Sequence, residues 1–368
     1  MMNSPLVRRL SSDLVIETDS EKRAILLAEL ACYWARVGEF DKAQSLRFEL
    51  RKEFGDGRSL KVSVLTMLLE GVLHFFNNVG QEARDRIVRA QFLSSTFGDM
   101  KLLSLTSSWL AHIDFNLCQF ESMTKALESS ISNFGFDNGT AECRVALVLG
   151  DAFLFSNQRT PSQAWYERAR RTATKLGDQA AIGAITYNRA ALRVANLRLQ
   201  RLTCTVDQSE IQMVDGEVRT AVNYQAVADL RSREHWLGAA QVGVHMLASR
   251  FDAALTTIDA LLASGAAPQN SGEELLLICD RFECLTRLDI GPHDADSMHE
   301  SIKAVEARGD PDDKSLAYAA LASSARLLGR SELADELKVS SDISLANHRA
   351  IVDKLTTLIA PFKDLAGT

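Results

Sequence analysis

The sequence predicts an all-α protein that consists of about eight helical hairpins in an array and ends in a capping helix. The first observation behind this prediction is a recurring Gly–Asp boundary between helices. Its glycines stand at Gly55, Gly98, Gly135 and Gly177, at steps of 43, 37 and 42 residues. The second observation is that only six of the 368 residues are proline, so long stretches are free to be helical. The third is that apolar residues between the boundaries recur at helical spacing.

Each boundary glycine is expected to end a helix, because glycine adopts the left-handed conformation without a Cβ clash. The aspartate that follows can accept hydrogen bonds from the free N–H groups at the start of the next helix. Gly177–Asp178 and Gly309–Asp310 have this pattern in its simplest form. A regular repeat of such boundaries indicates an array that grows in one dimension.

The first 19 residues are predicted to form an N-terminal segment, 1–19, that contains one short helix over 4–16. Asp19–Ser20 then caps a stronger helix over 21–37. The turn at Gly38 leads into a second helix, and the two helices together form an αα-hairpin.

This first hairpin resembles a tetratricopeptide repeat. The Leu–small pair and the aromatic residue of helix A, and the small residue of helix B, are present in Leu27-x2-Leu30-Ala31-x2-Trp34-x3-Gly38-x-Phe40-x2-Ala43. In later repeats the small position, or its replacement, is found at Ala83, Met123, Ala164, Ala254, Ala295 and Ala334.

The resemblance covers roughly residues 20–340, and the period near 40 is longer than the family's usual period of about 34. In this respect the chain resembles the long-period variants of bacterial regulatory proteins. The resemblance implies a right-handed α-solenoid in which the first helix of each hairpin, helix A, lines a concave groove. It implies a fold rather than a function, because the repeat serves scaffolds of many kinds.

The repeat is interrupted between Ala164 and Ala254, which lie 90 residues apart. That interval holds two repeats with about ten residues to spare. The surplus falls where the helical stripe is lost, so a loop insertion is predicted over 201–215, between helices over 179–199 and 217–231. The remaining hairpins are expected to follow it, with a breaker over 265–272.

Beyond residue 340 a last helix is predicted over 343–363, after the break Ser340-Ser341-Asp342. An array cannot leave its last apolar face bare, so this helix is interpreted as a cap. The alternative is a linker helix that leads to a missing C-terminal domain or contacts a partner in a homodimer.

Composition excludes several classes of protein. The net charge of −7 argues against sequence-independent binding of nucleic acid. No apolar run approaches 18 residues, which argues against a membrane span. The six cysteines form no CxxC motif and follow no secretory signal, so free thiols and a cytoplasmic location are expected.

Few residues are candidates for metal binding or catalysis. The cluster His293-Asp294-Ala295-Asp296-Ser297-Met298-His299 has the residue types of a metal site, but its two histidines do not share a helix face. The sequence contains no phosphate-binding glycine loop, zinc-protease motif or nucleophile elbow. No cofactor, no metal and no catalytic residue is therefore predicted, and the protein is not expected to be an enzyme.

The best candidate for binding is a polar stripe on the predicted helix over 179–199. The long side chains of this stripe recur at helical spacing; they are Arg189, Arg193, Asn196 and Gln200. Arg144 and His245 on neighbouring A helices could join them. In the family that the chain resembles, such residues on A helices hold peptide backbones and carboxylates, work that suits the planar fork of arginine. The plain alternative is that a helix must show some polar face to water.

Two hypotheses for function come from different classes. The first is a non-catalytic cytoplasmic scaffold that binds a protein segment or peptide, with an acidic one as a candidate, in the concave groove. The second is a sensory or regulatory module that binds a small ligand or peptide and controls a separate effector in bacterial signalling or transcription. The absence of an effector domain in the sequence counts against the second.

Overall fold

The computed structural model describes residues 4–77, 80–134, 138–264, 272–291 and 295–367. Within these residues every regular element is helical, which confirms the all-α prediction. The α-helices are α1 Pro5–Ile16, α2 Ser20–Val37, α3 Phe40–Phe54, α4 Leu60–Asn77, α5 Gln81–Phe97, α6 Met100–Asn116, α7 Phe120–Ser132, α8 Gly139–Phe155, α9 Arg159–Leu176, α10 Gln179–Arg201, α11 Gln208–Ala228, α12 Glu234–Leu247, α13 Phe251–Ser264, α14 Gly272–Leu288, α15 Ala295–Ala307, α16 Pro311–Leu327 and α17 Ser331–Ile359, followed by 3-10 turns at Ala360–Phe362 and Leu365–Gly367.

The described residues form two compact units. Unit 1 comprises those within Met1–Thr186, Tyr224–Arg233 and Leu355–Thr368, and unit 2 comprises those within Tyr187–Asn223 and Glu234–Lys354. In unit 1, helices α2 to α9 pair in sequence as four hairpins, and α1 packs against α2. In unit 2, α12 pairs with α13, and α14 packs against both α15 and α16.

The small positions of the repeat pattern lie in the helix crossings. Ala43, Ala83 and Met123 in unit 1 are completely buried, as are Ala254 and Ala334 in unit 2. Close contact at the four alanine positions favours a small residue, whereas the crossing at Met123 accommodates a larger one. Ala164 is partly exposed, and the side chain of Ala295 lies outside the described residues.

The predicted Gly–Asp boundary is confirmed at Gly98 and Gly177, which end α5 and α9 in the left-handed conformation with φ of +76° and +70°. The aspartates that follow cap the next helices: Asp99 Oδ1 accepts from Leu102 N at 3.0 Å. In the same way Asp178 Oδ1 accepts from the backbone N–H at the third residue of α10 at 3.0 Å. These two boundaries therefore end one helix and start the next, as the pattern predicts.

At Gly55 the prediction of a left-handed glycine is wrong. Gly55 has φ of −67°, which is ordinary helical backbone, and the left-handed residue is Gly57, with φ of +76°. The helix ends at the same place, but the turn is two residues longer than the pattern implied. Gly135 lies outside the described residues, as do most of the predicted breaker over 265–272 and His293 of the histidine cluster.

The loop predicted over 201–215 is wrong in extent. Helix α10 continues to Arg201 and α11 already begins at Gln208, so only residues 202–207 lie between them. The reason is apolar packing: Ile211, Val214 and Val218 face the core of unit 2 at helical spacing and are buried.

The predicted break at 340–342 is also wrong, because α17 runs through it as a single helix. Ser341 is buried there, and its hydroxyl group donates a hydrogen bond to the Ser315 carbonyl oxygen at 2.8 Å. A polar residue that is typical of loops therefore has a hydrogen-bond partner within the buried part of the helix. The separate capping helix predicted over 343–363 is therefore the second half of α17 with a 3-10 turn. Leu355 and Ile359 of its apolar stripe are completely buried within unit 1.

Helix α4 is long and apolar enough to cross a membrane by length and composition alone, and among the described residues it is the one helix that passes this test. About three fifths of that stretch, 61%, is buried inside the structure. Its Glu70 is almost completely buried and pairs with Arg47, Arg51 and Arg86 of the neighbouring helices α3 and α5. The burial and the ion pairs identify α4 as a core helix of unit 1.

Candidate functional site

The predicted stripe on α10 is largely engaged with the neighbouring helix of unit 2. Arg189 and Arg193 both donate to Glu217 Oε1 of α11, at 2.9 and 2.7 Å. The Arg193 side chain is only 14% exposed, whereas that of Arg189 is 52% exposed. Arg193 therefore serves the α10–α11 packing, and only Arg189 keeps much of its surface in solvent.

The remaining predicted residues of unit 2 do not form a site with them. Asn196 is half-buried and Gln200 is exposed. His245 on α12 is half-buried, and burial together with the nearby Arg250 lowers its pKa below the usual histidine value. The structure thus places five of the six predicted site residues in unit 2 without a common pocket that the described contacts define.

Arg144 belongs to unit 1 and has different surroundings. It lies on α8 and is 6% exposed, and its guanidinium carbon lies 3.8 Å from the centre of the Trp109 ring on α6. Among the described residues no hydrogen-bond acceptor or carboxylate contacts this guanidinium. Burial, with the positive charge of Arg36 as the next cause, lowers the pKa of Arg144 to about 9. The group is still charged at neutral pH.

A second buried arginine, Arg233, comes from the turn between α11 and α12. It is 5% exposed, and its guanidinium lies 5.3 Å from the centre of the Phe76 ring on α4. Two hydrogen bonds fasten this turn to the end of α2: Arg231 N donates to Val37 O at 2.9 Å, and Ser232 Oγ donates to the Arg36 carbonyl oxygen at 2.6 Å. The position of Arg233 is therefore fixed by backbone contacts.

The approach of this turn to α2 requires a glycine. Gly38 ends α2 with φ of +89°, and a Cβ there would lie 2.6 Å from Ser232 N. Such a contact is shorter than van der Waals distances allow. The glycine of the tetratricopeptide-like pattern thus serves both the helix end and the fastening of the segment that carries Arg233.

The third arginine, Arg36, has a carboxylate partner. Its guanidinium donates to Asp178 Oδ2 at 2.7 Å, and both side chains are buried. The other oxygen of Asp178 caps α10 through Ala181 N. Each oxygen of the Asp178 carboxylate therefore accepts a hydrogen bond.

His112 on α6 adds a neutral polar group. Its ring lies 5.1 Å from that of Phe75 and 5.8 Å from that of Trp109, measured between ring centres. Burial, with the nearby Arg144 and Arg233, lowers the pKa of His112 well below its usual range, so the ring is neutral at physiological pH. Its Nδ1 atom is buried and has no hydrogen-bond partner among the described residues.

We call Arg36, Arg144, Arg233, His112 and Asp178 the arginine centre. It contains three guanidinium groups, one carboxylate and one neutral imidazole, so its formal charge is about two positive units at neutral pH. Coulomb interactions raise or lower the pKa values of its members mutually, which places them within one electrostatic environment.

The two thiols beside the centre are held in their neutral form. Burial raises the pKa of Cys32 and of Cys143 to about 12 each. Because the thiolate is the nucleophile, neither cysteine is activated at neutral pH. Among the described residues no group of three or more metal-ligating side chains comes together.

Of the arginine centre, sequence reasoning found only Arg144. The other four members lie on two helices and two turns, and no spacing in the sequence connects them: Arg36, His112, Asp178 and Arg233. One signal was available: the aromatic residue Trp109 on the preceding A helix is a natural neighbour for an arginine at Arg144.

Comparison with known proteins bears on the fold. No protein-family model matches the sequence, and no curated protein matches it. Among solved structures, a crystal structure of Rap protein complexed with competence and sporulation factor is similar, with a TM-score of 0.56 at 13% sequence identity. The similarity covers 96% of this chain and 92% of that chain. At this identity the similarity shows the fold alone, which is an all-α fold of helical repeats.

Proposed function

We propose that the protein is a non-catalytic cytoplasmic scaffold with a regulatory role, which binds a protein segment or peptide at the arginine centre of unit 1. The observation that carries the proposal is the unused hydrogen-bonding capacity of Arg144. A buried guanidinium without an acceptor costs free energy, since charged groups taken out of water must be paired. A chain that retains such a group gains from it when an external ligand supplies the acceptor.

The chemistry around the centre supports binding rather than catalysis. A general acid or base works best with a pKa near the operating pH, whereas the pKa of His112 is lowered well below that range. The neighbouring thiols Cys32 and Cys143 are neutral. What remains is a set of fixed donors next to aromatic rings, which is suited to recognition.

The fold supports a protein segment or peptide as the ligand. Tetratricopeptide-like hairpin arrays bind extended segments, and the similar Rap protein structure contains competence and sporulation factor. That precedent, with the period near 40, favours the long-period regulatory variant of the family for this chain. The partner is then a regulated or regulating protein segment, and nucleic acid and membranes are not among the partners that we propose.

The proposal is tested by affinity purification of tagged protein from its own cells, followed by cross-linking and mass spectrometry. We expect a co-purified protein or peptide whose cross-links fall on α6, α8 and the Tyr224–Arg233 segment. The Arg144→Ala variant should lose this partner. The matched control is Arg168→Ala, which removes another tryptophan-stacked arginine of unit 1 outside the centre.

Two results would contradict the proposal. Retention of the partner by Arg144→Ala would place the binding site elsewhere, with Arg189 on α10 as the next candidate. Absence of any protein partner, together with stabilisation by a metabolite or signalling nucleotide in a thermal-shift screen, would favour the sensory module instead.

A further inference from the structure

We propose that the arginine centre is an oxyanion site, in which one carboxylate or phosphate group of the bound ligand accepts hydrogen bonds from Arg144. The inference rests on the proposed function, because it names the chemical group by which the bound segment is held. The inference goes beyond the proposed function, because it assigns the charge of the ligand group, the side chains that donate to it and the number of such groups that the site accepts.

The first step is the charge balance inside unit 1. Asp178 accepts from Arg36 through one oxygen and from the start of α10 through the other, and no described contact joins it to Arg144. The positive charge of Arg144 is therefore not neutralised by a contact within the described residues. One anionic group from outside would supply what is missing.

The second step is a comparison with four other poorly exposed arginines among the described residues, each of which has a carboxylate partner. Arg84 donates to Asp114 at 2.6 Å, and Arg168 donates to Glu142 at 3.0 Å. Arg198 in unit 2 donates to the buried Asp280 at 2.7 Å; like them, Arg36 has Asp178. These four arginines are thus paired with acids, whereas no carboxylate of the described residues contacts Arg144.

The third step is the direction of the free donors. The Trp109 ring lies against the guanidinium of Arg144 at 3.8 Å, within the range of a cation–π contact. A ring so close to the cation covers one side of it, and the N–H groups on its edge remain for an acceptor. A planar guanidinium edge matches the two oxygens of a carboxylate or phosphate. The burial of Arg144 strengthens such a charge-assisted hydrogen bond.

The fourth step is the neutral His112. Its Nδ1 atom has no partner, and the imidazole carries one N–H whichever tautomer is present. A bound oxyanion could accept from this ring in addition to Arg144. Because an anion next to a histidine favours the protonated form, binding would raise the pKa of His112 from its lowered value.

If Arg144 serves binding, its replacement should weaken ligand binding without lowering the stability of the free protein. An arginine that merely supports the fold would destabilise the protein when replaced. An unpaired buried charge, by contrast, is costly to the free protein, so Arg144→Met should unfold at the same or a higher temperature than the parent. Methionine keeps a flexible apolar contact with the Trp109 ring. The control Arg168→Met removes a guanidinium that has the Glu142 carboxylate and should unfold at a lower temperature.

The anion test uses thermal unfolding of the full chain in sodium acetate, sodium phosphate and sodium chloride at equal ionic strength. We expect acetate, phosphate or both to raise the Tm of the parent above its value in chloride, increasingly with concentration. The shift should be absent in Arg144→Met and retained in Arg168→Met. The difference between acetate and phosphate identifies which oxyanion the site prefers.

The peptide test uses fluorescence anisotropy with a synthetic peptide that reproduces the segment identified by cross-linking. Versions in which each acidic side chain is replaced by its amide, and the C-terminal carboxylate by a carboxamide, are compared with the unchanged peptide. Removal of the group that enters the site should weaken binding to the parent about 10- to 150-fold, which is the range for one charge-assisted hydrogen bond. The same removal should leave binding to Arg144→Met almost unchanged.

Each other outcome overturns either the inference or the proposed function in a recognisable way. If neither acetate nor phosphate raises the parent's Tm beyond chloride, the centre is not an oxyanion site. If the peptide binds but no neutralised version is weakened, the site takes no anion although the proposed function stands. If the anions bind and no peptide or protein does, the oxyanion site stands and the proposed function fails. A lower Tm for Arg144→Met would identify the arginine as structural.

Discussion

Replacing Gly177 by alanine should destabilise unit 1 at two places at once. Gly177 has φ of +70°, which strains any residue with a Cβ. A Cβ there would also lie 2.7 Å from Pro5 Cβ and 3.1 Å from Leu6 N, at the start of α1. The Gly177 carbonyl oxygen accepts hydrogen bonds from Ser4 Oγ at 3.0 Å and from Leu6 N at 3.3 Å. The N-terminal helix is therefore fastened to this turn.

The magnitude follows from these contacts. The left-handed conformation costs a residue with a Cβ about 1–2 kcal/mol. The displaced start of α1 loses two hydrogen bonds, each with a net value of about 0.5–1.5 kcal/mol. The free energy of unfolding should therefore fall by about 2–5 kcal/mol on adding these terms. Gly98 is the matched control, because its φ is +76° and a Cβ there would meet nothing within 4 Å. Gly98→Ala should cost only the backbone part, about 1–2 kcal/mol.

Thermal unfolding measures the difference in stability between Gly177→Ala and Gly98→Ala. For a unit of roughly 200 residues each kcal/mol lowers Tm by about 2–4 °C. Gly177→Ala should thus melt clearly below Gly98→Ala, and the gap should narrow in a Pro5→Gly background, which removes the closest contact. Equal losses for the two glycines would refute the fastening of α1 to the turn. A loss near zero for both would refute the left-handed strain as well.

Three further predictions concern packing, the α10 stripe and pH. Ala43→Leu and Ala254→Leu, both at completely buried crossings, should each cost about 1–3 kcal/mol by overpacking, and urea midpoints equal to the parent's would show that these are not crossing positions. Arg193→Ala should destabilise more than Arg189→Ala, because Arg193 is the less exposed partner of their shared carboxylate, and the reverse order in denaturation would contradict this. Burial, with neighbouring carboxyl groups, raises the pKa of Asp313 well above its usual range, so folding favours its protonated form and stability is lost as pH rises through the raised pKa. Asp313→Asn should therefore gain stability relative to the parent between pH 4 and pH 8, and parallel curves of Tm against pH would refute it.

The helices could be predicted because their ends are coded locally. Gly98–Asp99 and Gly177–Asp178 use backbone conformation and side-chain capping that depend on a few adjacent residues. At Gly55 the same local rule failed because two glycines stand two residues apart and either can take the left-handed conformation. The choice of Gly57 depends on the path of the chain to α4, which no local pattern specifies.

The errors at 201–215 and at 340–342 have a common physical cause. Both segments contain residues that favour loops, and both are held in helices by contacts with distant parts of the chain. Ser341 donates a hydrogen bond to the Ser315 carbonyl oxygen, and Val214 is buried in the core of unit 2. Tertiary packing decides such cases, because intrinsic helix propensities differ by less than about 1 kcal/mol per residue for most residue types.

The candidate site shows the limit of helix-face reasoning. Spacing on α10 correctly grouped Arg189 and Arg193 on one line of the helix. It could not show that the line faces Glu217 of α11, because that depends on how the two helices pack. The arginine centre was missed for the same reason, since the charge balance around Arg144 depends on residues that only the fold brings together.

The backbone turns that border the arginine centre fix the positions of the charged groups around Arg144. Among the left-handed glycines of the described residues, Gly38 and Gly177 are the two at which a Cβ would lie within 3 Å of another atom. Gly38 fastens the turn that carries Arg233, and Gly177 precedes Asp178, the partner of Arg36. The groups that surround Arg144 are thus positioned by tight turns and backbone hydrogen bonds, which do not require the charges to be balanced. A site held in this way can keep donors in place before an anion arrives, which lowers the reorganisation that binding would otherwise need.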